Sequence, residues 1–145
     1  MAKFQYKFQS IQHVKKMQEK RAQKEVAIIE MEIEKCRIEF DNLVKLEEES
    51  SKNMPLKGIT AADIKFIKGY ELCMRQKREV ILKKLEKLTR EKEIKMAELV
   101  KKSKEHKIFD TLKESYLERF NQEQNKLEMN QIDEIATQKF VRYNK

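Results

Sequence analysis

The chain has 145 residues and a formal net charge of +8, with 40% charged residues, no tryptophan, two glycines and one proline. A mean hydropathy of −0.84 with so many charges excludes the apolar core of a thick globular domain. Apolar residues at regular spacing favour a coiled coil, and intrinsic disorder is the alternative that the high charge leaves open.

Residues 1–12 mix lysines with aromatic residues and lack the apolar stretch of a signal peptide. No apolar run approaches the length of a transmembrane helix. We therefore expect a cytoplasmic protein in which Cys36 and Cys73 stay reduced. Neither these cysteines nor the widely separated His13 and His106 have the spacing of a metal site. No catalytic motif is present, so we expect no enzyme activity and no cofactor.

The first predicted helix runs from Phe4 to about Glu49. Its apolar residues from position 22 onward follow alternating steps of four and three: Ala22, Val26, Ile29, Ile33, Cys36, Phe40 and Leu43. This heptad pattern predicts a seam that packs against a partner helix. The two preceding seam positions, Lys15 and Gln18, are polar, so we expect looser packing there.

A break follows at about residues 50–60. It contains Pro55, which lacks an N–H group, and Gly58, which tolerates a positive φ. Thr60, with Asp63 three residues later, has the spacing of a helix N-cap. We therefore predict a turn here and a second helix from residue 61 to about Arg142.

The second helix has a longer and less regular seam. Its apolar candidates are Ile64, Ile67, Tyr70, Met74, Ile81, Leu85, Leu88, Leu99, Phe109, Tyr116, Phe120 and Leu127. Between Leu88 and Phe109 the residues at heptad positions are polar: Lys92, Lys95, Lys102 and His106. A shift of phase towards the neighbouring apolar residues Ile94, Met96 and Val100 would compensate for this polar stretch.

Two long helices joined by a short turn fold back antiparallel. We therefore predict an all-α fold in a single domain over residues 1–145: a long antiparallel two-helix coiled-coil hairpin with the C-terminal helix overhanging. A turn centred near residue 54 or 55 sets residue i level with about residue 109 − i. That register places Phe40 beside Gly69, whose missing side chain would make room for the ring.

Charge is distributed in blocks along the chain. Residues 1–24 contain seven bases and one acid, residues 25–50 three bases and nine acids, and residues 51–107 contain 17 bases and eight acids. The hairpin pairing brings the acidic block against the basic second helix. The paired termini stay strongly basic, and such a field attracts an acidic partner or a polyanion.

In this register pairing ends near residue 105 and leaves about 35 residues of the second helix as an overhang. The overhang carries an apolar stripe of Phe109, Leu112, Tyr116, Phe120, Leu127, Ile132, Ile135, Phe140 and Val141. An uncovered apolar stripe indicates an interaction site. Another protein, a second copy of the chain or a fold-back of the chain itself would cover it.

Three stretches carry a family resemblance. The opening Phe4-Gln5-Tyr6-Lys7-Phe8-Gln9-Ser10-Ile11 follows the pattern F-x-Y-x-[LF]-x-x-[LIV], and the break ends in Gly58-Ile59-Thr60. The tail Gln131-Ile132-Asp133-Glu134-Ile135-Ala136 contains an acidic D-E-x-A signature. With the chain length, these stretches make the whole chain resemble the flagellar export protein FliJ family, the small coiled-coil component of the flagellar type III export ATPase complex.

The resemblance implies a non-catalytic stalk, similar to the central subunit of rotary ATPases, which inserts into the hexameric flagellar export ATPase and promotes its activity. It implies two further partners, the cytoplasmic domain of the export gate protein and the export chaperones, and no small-molecule substrate. Membrane association would be peripheral, through the export apparatus at the inner face of the cell membrane at the flagellar base.

The resemblance also implies two binding surfaces. The ATPase surface comprises the paired termini and the overhang, with Phe4, Phe8, Phe109, Tyr116, Phe120, Asp133 and Glu134. The export-gate surface is a stripe early in the second helix, with Tyr70, Met74, Lys77 and Ile81. Periodicity alone instead assigns Tyr70, Met74 and Ile81 to the seam against the first helix.

Two other functions stay open. The chain could be a self-associating coiled-coil scaffold in which the overhang pairs with a second copy. It could also be a basic coiled-coil nucleic-acid binder that uses Lys83, Lys84, Lys101, Lys102 and Lys104. Aromatic residues are not interleaved with these lysines, so nucleic acid is not the expected partner.

Overall fold

The computed structural model describes residues 2–53 and 58–144. Over these residues the secondary structure consists of two α-helices, α1 (Gln9–Lys52) and α2 (Ala61–Tyr143), with no strand. The two helices pack against each other as a helical hairpin, which confirms the predicted fold class. Helix α1 begins at Gln9, later than the predicted Phe4, and it ends a few residues after the predicted Glu49.

Helix α2 starts where the sequence predicts. The Thr60 hydroxyl accepts a hydrogen bond from the Asp63 N–H at 3.2 Å, and the Asp63 carboxylate accepts one from the Thr60 N–H at 3.1 Å. These bonds lower the pKa of Asp63 and satisfy two otherwise free N–H groups. Gly58 has a φ of 83°, as its place in the break predicts. The break's Pro55 lies outside the described residues.

The contacts of the chain divide into two units. The heptad unit comprises Lys20–Val100, and the terminal unit comprises Met1–Glu19 and Lys101–Lys145. Both helices contribute to both units. Each unit therefore has its own set of contacts between α1 and α2.

The heptad unit is held by an apolar seam. Its buried residues are Ala22, Val26, Ile29, Ile33, Cys36, Met74 and Leu88. Ile29, Ile33, Cys36 and Leu88 form one cluster, against which Ile81 and Leu85 pack. All five buried positions on α1 are predicted seam positions, so the heptad prediction is confirmed. Each of the larger side chains contributes about 1.5–3 kcal/mol by leaving water.

Ion pairs define the register of the heptad unit. Glu25 pairs with Lys95 at 3.3 Å, Glu30 with Lys92 at 3.4 Å and Glu47 with Arg78 at 3.2 Å. The two residue numbers of each pair add up to 120–125. The predicted register, in which the numbers of level residues add up to about 109, is therefore wrong. Acidic side chains of α1 nevertheless pair with basic ones of α2, as the charge blocks predict.

The heptad phase continues through the lysine positions of α2. Lys92 and Lys95 lie half-buried at the seam and pair with glutamates of α1. The apolar neighbours Ile94, Met96 and Val100 are exposed by 61%, 40% and 48%. The expected shift of phase therefore does not occur, because ion pairs accommodate the lysines in the seam.

Gly69 does not pack against Phe40. A Cβ atom built on Gly69 would meet nothing within 4 Å. With the observed register, Lys52 at the end of α1 lies level with about residue 70 of α2. The first turns of α2 therefore extend past the end of α1, and this explains why Phe66 is 76% exposed. The predicted contact is wrong because the pairing centre lies near the start of α2 rather than inside the break.

Candidate protein-binding surface

The terminal unit begins with a segment outside the helices, the strap (residues 2–8). The Gln9 N–H donates to the Tyr6 carbonyl at 3.2 Å, and the Gln12 N–H donates to the Phe8 carbonyl at 2.9 Å, where the chain enters α1. A chain outside a helix advances by up to ~3.3 Å per residue, against ~1.5 Å in a helix. The strap therefore covers more of α2 than the same number of helical residues would.

The strap lies on α2 through an aromatic cluster of Phe4, Tyr6, Phe8, Phe109, Tyr116 and Phe120. The rings of Phe4 and Phe120 are 5.6 Å apart, and those of Tyr6 and Tyr116 are 6.0 Å apart. Such tilted ring pairs add about 0.5–1.5 kcal/mol to the burial of their area. Five of the seven side chains expected to bind the ATPase are thus brought together, and they contact one another.

Tyr6 is the buried centre of this cluster, with 8% of its surface exposed. Its hydroxyl donates a hydrogen bond of 2.9 Å to the carbonyl of Phe109. Burial, followed by the nearby Tyr116 and Asp110, raises the pKa of Tyr6. The phenol therefore stays protonated and keeps the strap bonded to α2 at neutral pH.

Beside the aromatic cluster lies a polar layer of Gln12, Lys15, Glu19, Glu105, His106 and Asp110. His106 Nδ1 is 2.5 Å from a Glu19 oxygen, and its Nε2 is 3.3 Å from Asp110. Lys15 pairs with Glu105 at 3.0 Å, and this hydrogen bond is the main cause of the lowered pKa of Glu105. Two polar seam positions of the terminal unit, Lys15 and His106, are thus paired across the two helices.

These contacts correct the predicted end of the pairing. Phe4 contacts Phe120, whereas the prediction placed it level with residue 105. The chain itself covers the α2 face at Phe109, Tyr116 and Phe120. Of the three expected possibilities (another protein, a second copy or a fold-back of the chain), this part of the stripe shows the fold-back. The uncovered part of α2 is therefore shorter, and we call residues 121–144 the free helix end.

The free helix end is exposed throughout except for the half-exposed Gln124. Asp133 and Glu134, the other two residues expected to bind the ATPase, lie here. Asp133 is ~20 Å from Phe120 along the helix. The structure therefore separates the expected ATPase-binding residues into a strap-covered aromatic part and an uncovered acidic part.

The terminal unit also has a basic surface. Residues 1–19 and 101–121 together contain ten bases and five acids. Among the exposed bases, Lys7 places its Nζ 5.7 Å from the Phe8 ring. The excess of bases beside the aromatic cluster agrees with the predicted positive field, which favours an acidic partner surface.

The four residues expected to bind the export gate lie in the heptad unit. Met74 is buried and Ile81 packs against the apolar cluster. Tyr70 is half-buried, and Lys77 is exposed. A partner can therefore reach Lys77 and the edge of Tyr70, while the other two residues belong to the seam, as periodicity indicates.

Sequence reasoning missed Tyr6 and the strap. The predicted first helix begins at Phe4, although Phe4, Tyr6 and Phe8 alternate with a period of two. That period is typical of an extended segment with one buried face. His13 and His106 do not meet, and no group of metal-binding side chains occurs in the described part of the chain.

The comparisons with known proteins give one match. Neither the curated proteins nor the solved structures yielded a similar chain. In residues 2–53 and 58–144, neither helix has a stretch long and apolar enough to span a membrane. The family model described as flagellar FliJ protein matches residues 4–145. Because this match covers nearly the whole chain, the protein belongs to the FliJ family of flagellar proteins.

Proposed function

We propose that this chain is a non-catalytic stalk and adaptor of the flagellar type III export ATPase. Membership of the FliJ family assigns it a role associated with flagellar export. The proposal adds that the chain inserts into the hexameric ATPase ring and links the ring to the export gate protein and the export chaperones. The observation that carries it is the family match over residues 4–145, on a chain whose fold is a helical hairpin.

The terminal unit supplies the proposed ATPase surface. Its basic excess suits an acidic ring lining, and its strap fixes exposed lysines beside the aromatic cluster. Phe4, Phe8, Phe109, Tyr116 and Phe120 act mainly by holding that surface in shape, since they pack on each other. Asp133 and Glu134 offer a separate acidic contact on the free helix end.

The heptad unit supplies the proposed export-gate surface. Lys77 lines a groove together with Leu43, Cys73 and Val80. Tyr70 lines a separate groove with Glu47 and Arg75. Ile81 also lines the groove of Lys77, and Met74 is buried in the seam. The chain would work in the cytoplasm, peripheral to the membrane through its contact with the export gate.

The test is stimulation of the cognate export ATPase by the purified chain. We expect the intact protein to raise ATP hydrolysis. The double variant Tyr116→Ala with Phe120→Ala should bind at least about tenfold more weakly, a loss of ~1.4 kcal/mol, because the strap loses its platform. Ile94→Ala, an exposed apolar site outside both surfaces, is the matched control and should stimulate normally.

Absence of both stimulation and co-purification with the ATPase would refute the proposal. Binding to DNA that weakens steeply with salt, without any binding to the ATPase, would instead support the nucleic-acid alternative.

A further inference from the structure

The free helix end carries an apolar face that none of the described contacts covers. Steps of three, four, four and three residues place five residues on one side of the helix: Met129, Ile132, Ala136, Phe140 and Tyr143. Ile132 is 64% exposed, Phe140 68% and Tyr143 88%. Most helix stability in proteins comes from packing of an amphipathic face, so this face favours a partner helix.

This face is distinct from the strap-covered face of α2. At ~100° per residue, Ala136 lies about 160° around the helix from Phe120. The strap follows the side that carries Phe109, Tyr116 and Phe120, whereas the new face points the other way. Leu127 and Val141 are also exposed but lie on the strap side of the helix, outside the new face.

The charges of the free helix end are polarised along its length. Residues 121–134 contain four acids and one base, whereas residues 135–144 contain the bases Lys139 and Arg142 and no acid. A parallel pairing of two such helices would set like charges level with each other. An antiparallel pairing sets the acidic half of each helix against the basic half of the other.

We propose that the free helix end is a self-association surface whose occupant is the same segment of a second copy, bound antiparallel. With the two-fold axis near Ile135, Glu128 of one copy lies level with Arg142 of the second, because both are seven residues from the axis. Ala136 sits close to the axis, where a small side chain allows the helices to approach. The contact is isologous, so it closes on itself as a dimer.

The dimer should be reversible. Five apolar side chains per copy bury less than the roughly 1,200 Å² at which stable interfaces begin. Association will therefore depend on protein concentration. Of the proposed ATPase residues on this segment, Glu134 lies about 160° from Ala136, on the opposite side of the helix, whereas Asp133 lies about 60° from it, at the edge of the face. The inference needs no ATPase, so its failure would leave the proposed function untouched.

The test is sedimentation of the full chain over a wide concentration range. We expect a monomer–dimer equilibrium that the double variant Ile132→Asp with Phe140→Asp abolishes. The matched control is Leu127→Asp with Val141→Asp, which makes the same change in charge on the strap side of the same helix. The control should keep the dimer, and circular dichroism should show the same helix content for all three proteins.

Charge exchange tests the orientation. Glu128→Arg and Arg142→Glu should each weaken the dimer by about tenfold, which corresponds to ~1.4 kcal/mol, and the two changes together should restore it. In a Cys73→Ser background, Ala136→Cys should form an interchain disulfide and Met129→Cys should not, because both lie on the face but only the former lies near the axis. Cys36 is buried and does not compete.

A chain that stays monomeric at every concentration would overturn this proposal. So would a dimer that survives Ile132→Asp with Phe140→Asp, or one in which Met129→Cys links as readily as Ala136→Cys, since that indicates parallel helices. A face that becomes protected only when the export ATPase is added would assign the occupant to the ATPase and equally overturn it.

Discussion

The heptad unit and the terminal unit join the same two helices by different physical means. In the heptad unit, Ile29, Ile33, Cys36 and Leu88 form a continuous apolar cluster with ion pairs at its edges. In the terminal unit, hydrogen-bonded polar side chains and six aromatic rings take the place of that cluster. One helix pair therefore combines two kinds of seam.

The two seams differ in the free energy that is lost when their side chains separate and become exposed to water. Apolar side chains gain free energy by leaving water, and water offers them no compensating interaction when the heptad seam opens. A polar pair regains hydrogen bonds with water when it opens, which makes its net contribution smaller. Gln18 shows the cost of the polar seam, since its buried Oε1 lacks a hydrogen-bond partner among the described residues. We therefore expect the terminal unit to open more readily.

The largest effect is expected from Leu88→Ala in the heptad unit. Leu88 is 6% exposed and lies in the apolar cluster, so its truncation leaves a cavity. The free energy of unfolding should fall by about 2–4 kcal/mol, measured by urea denaturation. Ile94→Ala, at a site that is 61% exposed, should change it by less than about 0.5 kcal/mol. Equal losses at both positions would contradict the assignment of the seam.

A smaller effect, of opposite sign, is expected in the polar layer. Glu19 and His106 each expose 18% of their side chains. Replacing both by leucine should stabilise the chain by about 1 kcal/mol, because an apolar pair avoids the cost of desolvating the polar one. His106→Leu alone should destabilise it by a similar amount, since Glu19 loses its partner. A double variant that is less stable than either single variant would contradict the prediction, because it would show that the polar pair stabilises the chain more than an apolar pair does.

The smallest effect is expected from Tyr6→Phe, which removes the hydrogen bond to Phe109 and keeps the ring. The loss at neutral pH should be about 0.5 kcal/mol, at the lower end of what a hydrogen bond contributes, because the Phe109 carbonyl lies within a helix. The pKa of Tyr6 is raised above 10.0, so its stabilisation is present below that pH and is lost as the pH rises through the folded-state value. Near-ultraviolet circular dichroism should show an alkaline loss of aromatic signal that is reduced in the variant. An identical alkaline transition in both proteins would show that ionisation of Tyr6 does not cause it.

Sequence alone predicted those features that are set by local pattern. The steps of four and three from Ala22 identified the buried side of α1, and Thr60 with Asp63 identified the start of α2. The register depends instead on how the chain crosses between Lys52 and Ala61, for which heptads spaced seven residues apart offer several equivalent solutions. Gly69 and Phe40 were paired wrongly for this reason.

The candidate site divides in the same way. Its residues were predicted largely from a family resemblance, and the structure brings the aromatic ones together in the terminal unit. The contact of Phe4 with Phe120 was not predictable from a helical interpretation of the N-terminus, because the helical rise underestimates the reach of the strap. The period-two pattern of Phe4, Tyr6 and Phe8 was the available signal.

The strap sets an unusual tolerance to changes in chain length. Removing one residue between Phe4 and Gln9 shortens its reach by up to ~3.3 Å, which equals about two residues of helix rise. Phe4 would then miss the Phe120 ring, and the alternation of the following rings would be reversed as well. A deletion of two residues would preserve the alternation and move Phe4 by about one helical turn, from the ring of Phe120 to that of Tyr116. The strap should therefore tolerate a deletion of two residues better than a deletion of one. Its sequence follows a two-residue period, whereas the helices follow a seven-residue repeat.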